Sequence, residues 1–115
     1  MLLARTTETM MPSQPIRVMI ADDHPIVREG LQTSLAKSPH VQVVSIATSF
    51  VEVVDLLAVV HVHVLVLALG GMDGAPLMLV TRVRREHPEI AIVVFSSSVD
   101  LAPELLQAGV CGYVV

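Results

Sequence analysis

Short apolar runs recur along this chain, each followed by a stretch with helical spacing, and that alternation leaves few folds open. Ile16-Arg17-Val18-Met19-Ile20, Val41 to Ile46, His61 to Leu69, Ile90 to Phe95 and Gly112 to Val115 read as five strands. Between them, Val27, Leu31 and Leu35 fall at i, i+4 and i+8 behind Pro25, which suits the first turn of a helix ending near Ser38-Pro39. Ser49-Phe50-Val51-Glu52 has the spacing of a capping box and opens a helix through about Val59. Pro76 to His87 carries Leu77, Val80 and Arg84 at helical spacing before Pro88, and a short helix spans Pro103 to Ala108 before Gly109. Strands alternating with helices give a parallel sheet with right-handed crossovers and helices on both faces. Such a sheet demands aliphatic side chains, and a chain that is 53% hydrophobic but only 3% aromatic supplies them.

The 115 residues suffice for one domain with one core. Residues 1–15, rich in Thr, Met, Ser and Pro without periodicity, read as a flexible leader, and residues 16–115 as the folded unit. Seven Lys and Arg against eleven Asp and Glu give a net charge of -4, so this segment lacks the basic footprint of nucleic-acid binding. The leader is too short in its apolar run for a signal peptide. The longest apolar stretch, Leu56 to Leu69, is broken by His61 and His63 and falls short of the ~20 residues a membrane helix needs. No membrane partner is expected, and Cys111, the one cysteine, fits a reducing cytoplasm as a free buried thiol.

Chemistry concentrates where the first strand ends, at Ala21-Asp22-Asp23-His24-Pro25. Ligands of open parallel sheets sit in the crevice outside the carboxyl ends of the strands, and paired carboxylates there suit a hard cation such as Mg²⁺. Equally, Asp22 and Asp23 can serve to cap the following helix. His61 and His63 alternate onto one face, as a metal pair or as residues leading into the central strand. No glycine-rich phosphate loop supports a nucleotide site.

The run from Ile16 through Ala21-Asp22-Asp23-His24-Pro25 to Ile26-Val27-Arg28-Glu29-Gly30-Leu31, with the order of elements after it, resembles the receiver domain of response regulators of the NarL/FixJ (LuxR-type) family in two-component phosphorelay signalling. The resemblance covers about Ile16 to the last residue. It implies a flavodoxin-like, doubly wound α/β fold with a five-stranded parallel sheet in the order 2-1-3-4-5. It also implies that the family's final helix is missing from this chain. Receivers take a phosphoryl group from a partner sensor histidine kinase onto an aspartate ending the third strand, with Mg²⁺ held by that aspartate and the acidic pair. Here the matching position is Ala68, whose methyl group can neither accept phosphate nor bind a metal.

The loop beyond Ala68, Leu69-Gly70-Gly71-Met72-Asp73-Gly74, lacks the Pro usual in the family, which favours natural degeneration over a single deliberate replacement. Asp73 is imaginable as a substitute acceptor, although Asp before Gly is a routine turn pair. Ser96 matches the hydroxyl and Tyr113 the aromatic of the family's switch; the phosphate-gripping Lys falls just past Val115. The resemblance therefore implies an atypical receiver, not an enzyme, working without aspartyl phosphorylation. Its Mg²⁺ site, Asp22 and Asp23, is a weak remnant, with no other cofactor expected. Its output is protein contact: a homodimer through the fourth and fifth βα units, regulating transcription through a DNA-binding helix-turn-helix beyond this chain. A stand-alone adaptor, or a Mg²⁺-dependent phosphoacceptor using a substitute aspartate, are the competing readings.

Overall fold

The computed structural model describes residues 14–22, 24–69 and 75–115. Most of the leader, together with Asp23 and Asp73, lies outside them. The described chain alternates β1 (Ile16–Ala21), α1 (Pro25–Ala36), β2 (Val41–Ala47), α2 (Phe50–Leu57), β3 (Val64–Ala68), α3 (Pro76–Glu86), β4 (Ala91–Phe95), α4 (Ala102–Gln107) and β5 (Gly112–Val114). All neighbouring strands pair in parallel, in the order β2-β1-β3-β4-β5. This is the flavodoxin-like order expected from the sequence, and its direction of winding reverses between β1 and β3, which fixes the crevice there.

The two faces of the sheet are covered unequally. On one, Met19, Leu65, Leu67, Ile92 and Val94 meet Val53 and Leu57 of α2, Leu79, Val80 and Val83 of α3 and Leu105 of α4. On the other, Val18, Ile20 and Val66 are covered by Leu31 and Leu35 of α1. No residue of α1 is fully buried. Val27, read as part of the apolar stripe, is 46% exposed.

Of Leu77, Val80 and Arg84, the helical spacing read from the sequence for α3, only Val80 enters the core. Leu77 is exposed, and the core takes Leu79, Val80 and Val83. Arg84 instead donates from Nη1 to the carbonyls of Pro88 and Ile90, tying the end of α3 to the turn before β4. Its side chain also explains Gly109, which closes α4 at φ 112°: a Cβ there would stand 2.9 Å from Arg84 Nε.

The capping box opens α2 as expected, with one shift. Ser49 Oγ accepts from Glu52 N–H at 3.1 Å, whereas Glu52 Oε1 accepts from Thr48 N–H, one residue before the cap. The helix ends at Leu57, two residues early, since the amides of Val59 and Val60 turn back to the Leu56 carbonyl. The central strand begins at Val64 instead of His61. The Arg17 N–H that would continue the β1–β3 ladder donates to His63 Nδ1 at 2.9 Å, and Arg17 Nε donates to the His61 carbonyl at 2.7 Å. The neutral ring with its proton on Nε2 is the form that accepts this bond. Cys111 is exposed, contrary to the buried thiol expected, because it sits in the turn before β5 with its N–H held by the Ile92 carbonyl.

Candidate functional site

The crevice at the carboxyl ends of β1, β3 and β4 gathers what the sequence placed apart. Asp22 follows β1 directly, and its N–H donates to the Ala47 carbonyl at the end of β2, so the backbone pins the residue at the strand ends. Its side chain is 1% exposed, the one charged residue buried among the described residues. Oδ1 accepts from His24 N–H at 3.1 Å and lies 3.5 Å from His24 Nδ1. Oδ2 is buried with no hydrogen-bond partner among the described residues.

The helix-capping reading is thus met only in part. The N-cap of α1 is His24, with no side-chain cap bond, and Asp22 holds the turn leading into the helix. Pro25 at the first turn removes one of the N–H groups that a cap would otherwise satisfy.

Ala68 is the last residue of β3, 5% exposed, and is in register with Phe95 of β4. Both Ala68 and Leu69 line a cleft of about 270 Å³ that continues to Ser96, Ser98, Asp100 and Tyr113. Ser96 is half-buried at the end of β4. Its N–H donates to the Val114 carbonyl, and its Oγ accepts from Ser98 N–H. Tyr113 reaches from β5 to donate its hydroxyl to the Ser98 carbonyl at 2.6 Å, while its ring packs partly on the main core. Packing and polar contact are therefore both served by this ring.

Two residues of the cleft, Ser98 and Asp100, were not singled out in the sequence. The signal was present: serine and aspartate at i, i+2 spacing form local side-chain-to-backbone turns, and here Ser98 Oγ accepts from Asp100 N–H. His61 and His63 lie away from the crevice, beside Arg17 at the amino end of the sheet, with ring centroids 4.7 Å apart and planes at 82°.

Among the described residues the crevice offers a cation one buried carboxylate oxygen without a partner, Asp22 Oδ2. Ala68 offers none. Mg²⁺ demands near-octahedral oxygen coordination and dehydrates reluctantly, so this set does not fit a tightly held ion. No group of three or more His, Cys, Asp or Glu suited to a metal is gathered among the described residues. No helix there is long and apolar enough to cross a membrane.

Comparison with known proteins agrees with this geometry. Residues 18–115 match the family model described as the response regulator receiver domain. The chain is 31% identical over 108 residues to the nitrate/nitrite response regulator protein NarP of Escherichia coli (strain K12), covering 92% of this chain and 50% of that protein. It is 35% identical over 107 residues to the response regulator GacA of Pseudomonas protegens, covering 85% of this chain and 47% of that protein. The chain thus spans about half the length of the curated relatives it matches. Among solved structures, the isolated REC domain of RcsB from Salmonella enterica serovar Typhimurium, determined with phosphomimetic BeF3-, superposes with a TM-score of 0.81 at 27% identity, over 89% of this chain and 78% of that one. An RcsB–DNA complex superposes equally well, at 27% identity over 88% of this chain and 52% of that one. With the strand order, the buried aspartate after β1 and a family match over most of its length, this chain belongs to the response regulator receiver domain family.

Proposed function

We propose that this is an atypical receiver domain that regulates a DNA-binding output by protein contact, without aspartyl phosphorylation. The observation that carries the reading is Ala68, a methyl group ending β3 in the crevice beside the buried Asp22. Phosphoryl transfer needs a nucleophile and charge stabilisation at that spot, and Ala68 supplies neither. Asp22 with Asp23 remains as a weak Mg²⁺ remnant, Asp73 is not an acceptor, and Ser96 and Tyr113 keep the hydroxyl and aromatic of a switch whose trigger is gone. Signals then enter by self-association, by a sensor kinase acting as a docking partner, or by protein level in the cytoplasm. DNA contact belongs to a helix-turn-helix outside these residues. Solved relatives include two RcsB dimers bound to two parallel DNAs, which supports dimerisation as the mode of output.

The test is intact mass after incubation with Mg²⁺ and a small acyl-phosphate donor. The native chain is expected to gain no phosphoryl group, whereas Ala68→Asp is expected to gain one. A stable phosphoryl adduct on the native chain overturns the reading and points to a substitute carboxylate.

A further inference from the structure

Away from the crevice, α2 and α3 are separated by a groove of about 330 Å³. Phe50, Val54 and the buried Leu79 line its interior, while Val51 and Met78 stand at its lips, 71% and 73% exposed. The core stripes of the same helices run elsewhere, through Val53, Leu57, Val80 and Val83, so the lip residues are not needed to hold the domain together. Large apolar side chains paired across a groove mark an interaction surface rather than scattered exposure.

Charge on the groove is arranged with one sign per helix. Asp55 stands one turn beyond Val51 on α2, and Arg82 one turn beyond Met78 on α3; both line the groove. Asp55 is exposed and has no ion-pair partner among the described residues. Arg82 uses Nε on Glu86, at 3.1 Å, which leaves its two Nη groups without a partner among the described residues. Because α2 and α3 each lead back from the end of one parallel strand to the start of the next, they run in the same direction.

We propose that the α2–α3 groove is an isologous docking surface for a second copy of this chain. The proposal rests on the reading that the domain works through self-association, and it names the surface. A two-fold axis along the groove lays α2 of one copy on α3 of the other. Val51 then meets the partner's Met78, and Asp55 meets the partner's Arg82, each contact occurring twice. Opposite charge on the two helices is what makes the patch complementary to itself; two acids or two bases in these places would repel their own copy. Two short helices present less surface than a standard interface, so the dimer is weak and concentration-dependent.

Sedimentation equilibrium on the 115-residue chain over a wide concentration range tests this, with circular dichroism to show that each variant folds. The native chain is expected to dimerise. Asp55→Lys and Arg82→Glu are each expected to lose at least about tenfold in association, since each places like charges together twice. Mixed one to one, the two variants are expected to form a heterodimer of near-native affinity, because every facing pair is again opposite in sign. Dimers that persist in both single variants, or that fail to reappear on mixing, overturn the proposal while self-association stands. Loss of the dimer in Leu106→Glu alone moves the interface to the exposed apolar side chains of α4 and β5. A native chain that stays monomeric throughout overturns self-association itself and leaves the groove to a helix from a different protein.

Discussion

Replacing Asp22 by Asn changes one atom at the most unusual position in the domain, and the structure sets the size of the effect. Oδ1 accepts the His24 N–H, and an amide oxygen can keep that bond. Oδ2 is buried without a partner among the described residues, and leaving a buried charged acceptor unsatisfied costs about 1–3 kcal/mol or more. The amide removes the charge but brings an N–H₂ that must itself find acceptors, so part of the cost remains. The net expectation is a gain of about 1–2 kcal/mol, which in a domain of this size raises the melting temperature by roughly 4–16 °C.

Thermal unfolding with a chelator present isolates the carboxylate. Asp22→Ala separates the two roles, since it loses the bond to His24 as well and is expected to gain less than Asn or nothing. Repeating the native melt with Mg²⁺ at a concentration equal to a weak dissociation constant should add only ~0.4 kcal/mol. A fall in melting temperature for Asp22→Asn in chelator, with the fold intact, refutes the reasoning. It would mean that the crevice compensates the charge by groups other than the contacts described.

Two further substitutions test backbone devices away from this site. His63→Ala removes the acceptor of the half-buried Arg17 N–H and should cost about 1 kcal/mol, read as a lower denaturation midpoint at unchanged slope; no change would show that water replaces the imidazole fully. Gly109→Ala forces a side chain into a left-handed backbone and against Arg84, and should cost about 1–3 kcal/mol by urea unfolding, with a neutral result showing that the turn relaxes freely.

The sheet was legible in the sequence because a parallel strand buried on both faces is an unbroken aliphatic run, and helices must intervene between such strands. What failed was orientation within elements. Leu77 and Leu79 are equally apolar, and only the angle at which α3 meets the sheet decides that Leu79 turns inward. His63 looked like strand because its neighbours are β-branched, but its ring competes with the backbone for Arg17. Cys111 looked buried by residue type and was exposed by its place in a turn. In the crevice, Asp22 and Ala68 could be brought together in advance because both end strands. The Tyr113 bond could not, since its acceptor is a backbone carbonyl fifteen residues away, which no side-chain pattern announces.

Among the described residues, unequal covering of the sheet gives two tiers of resistance to opening. The tier built on α2, α3 and α4 shares one packed cluster with the central strands, so its amides should exchange with solvent only when the whole domain unfolds. The α1 tier has no fully buried residue, carries Ile26 at 85% exposure, and rests on three buried strand residues through Leu31 and Leu35. In the described residues taken by themselves, it rests on fewer buried contacts than the other tier and is expected to open first, exposing Val18, Ile20 and Val66 to exchange. Asp22 stands at the boundary between the two, and its bond to His24 ties the end of β1 to the start of the looser tier.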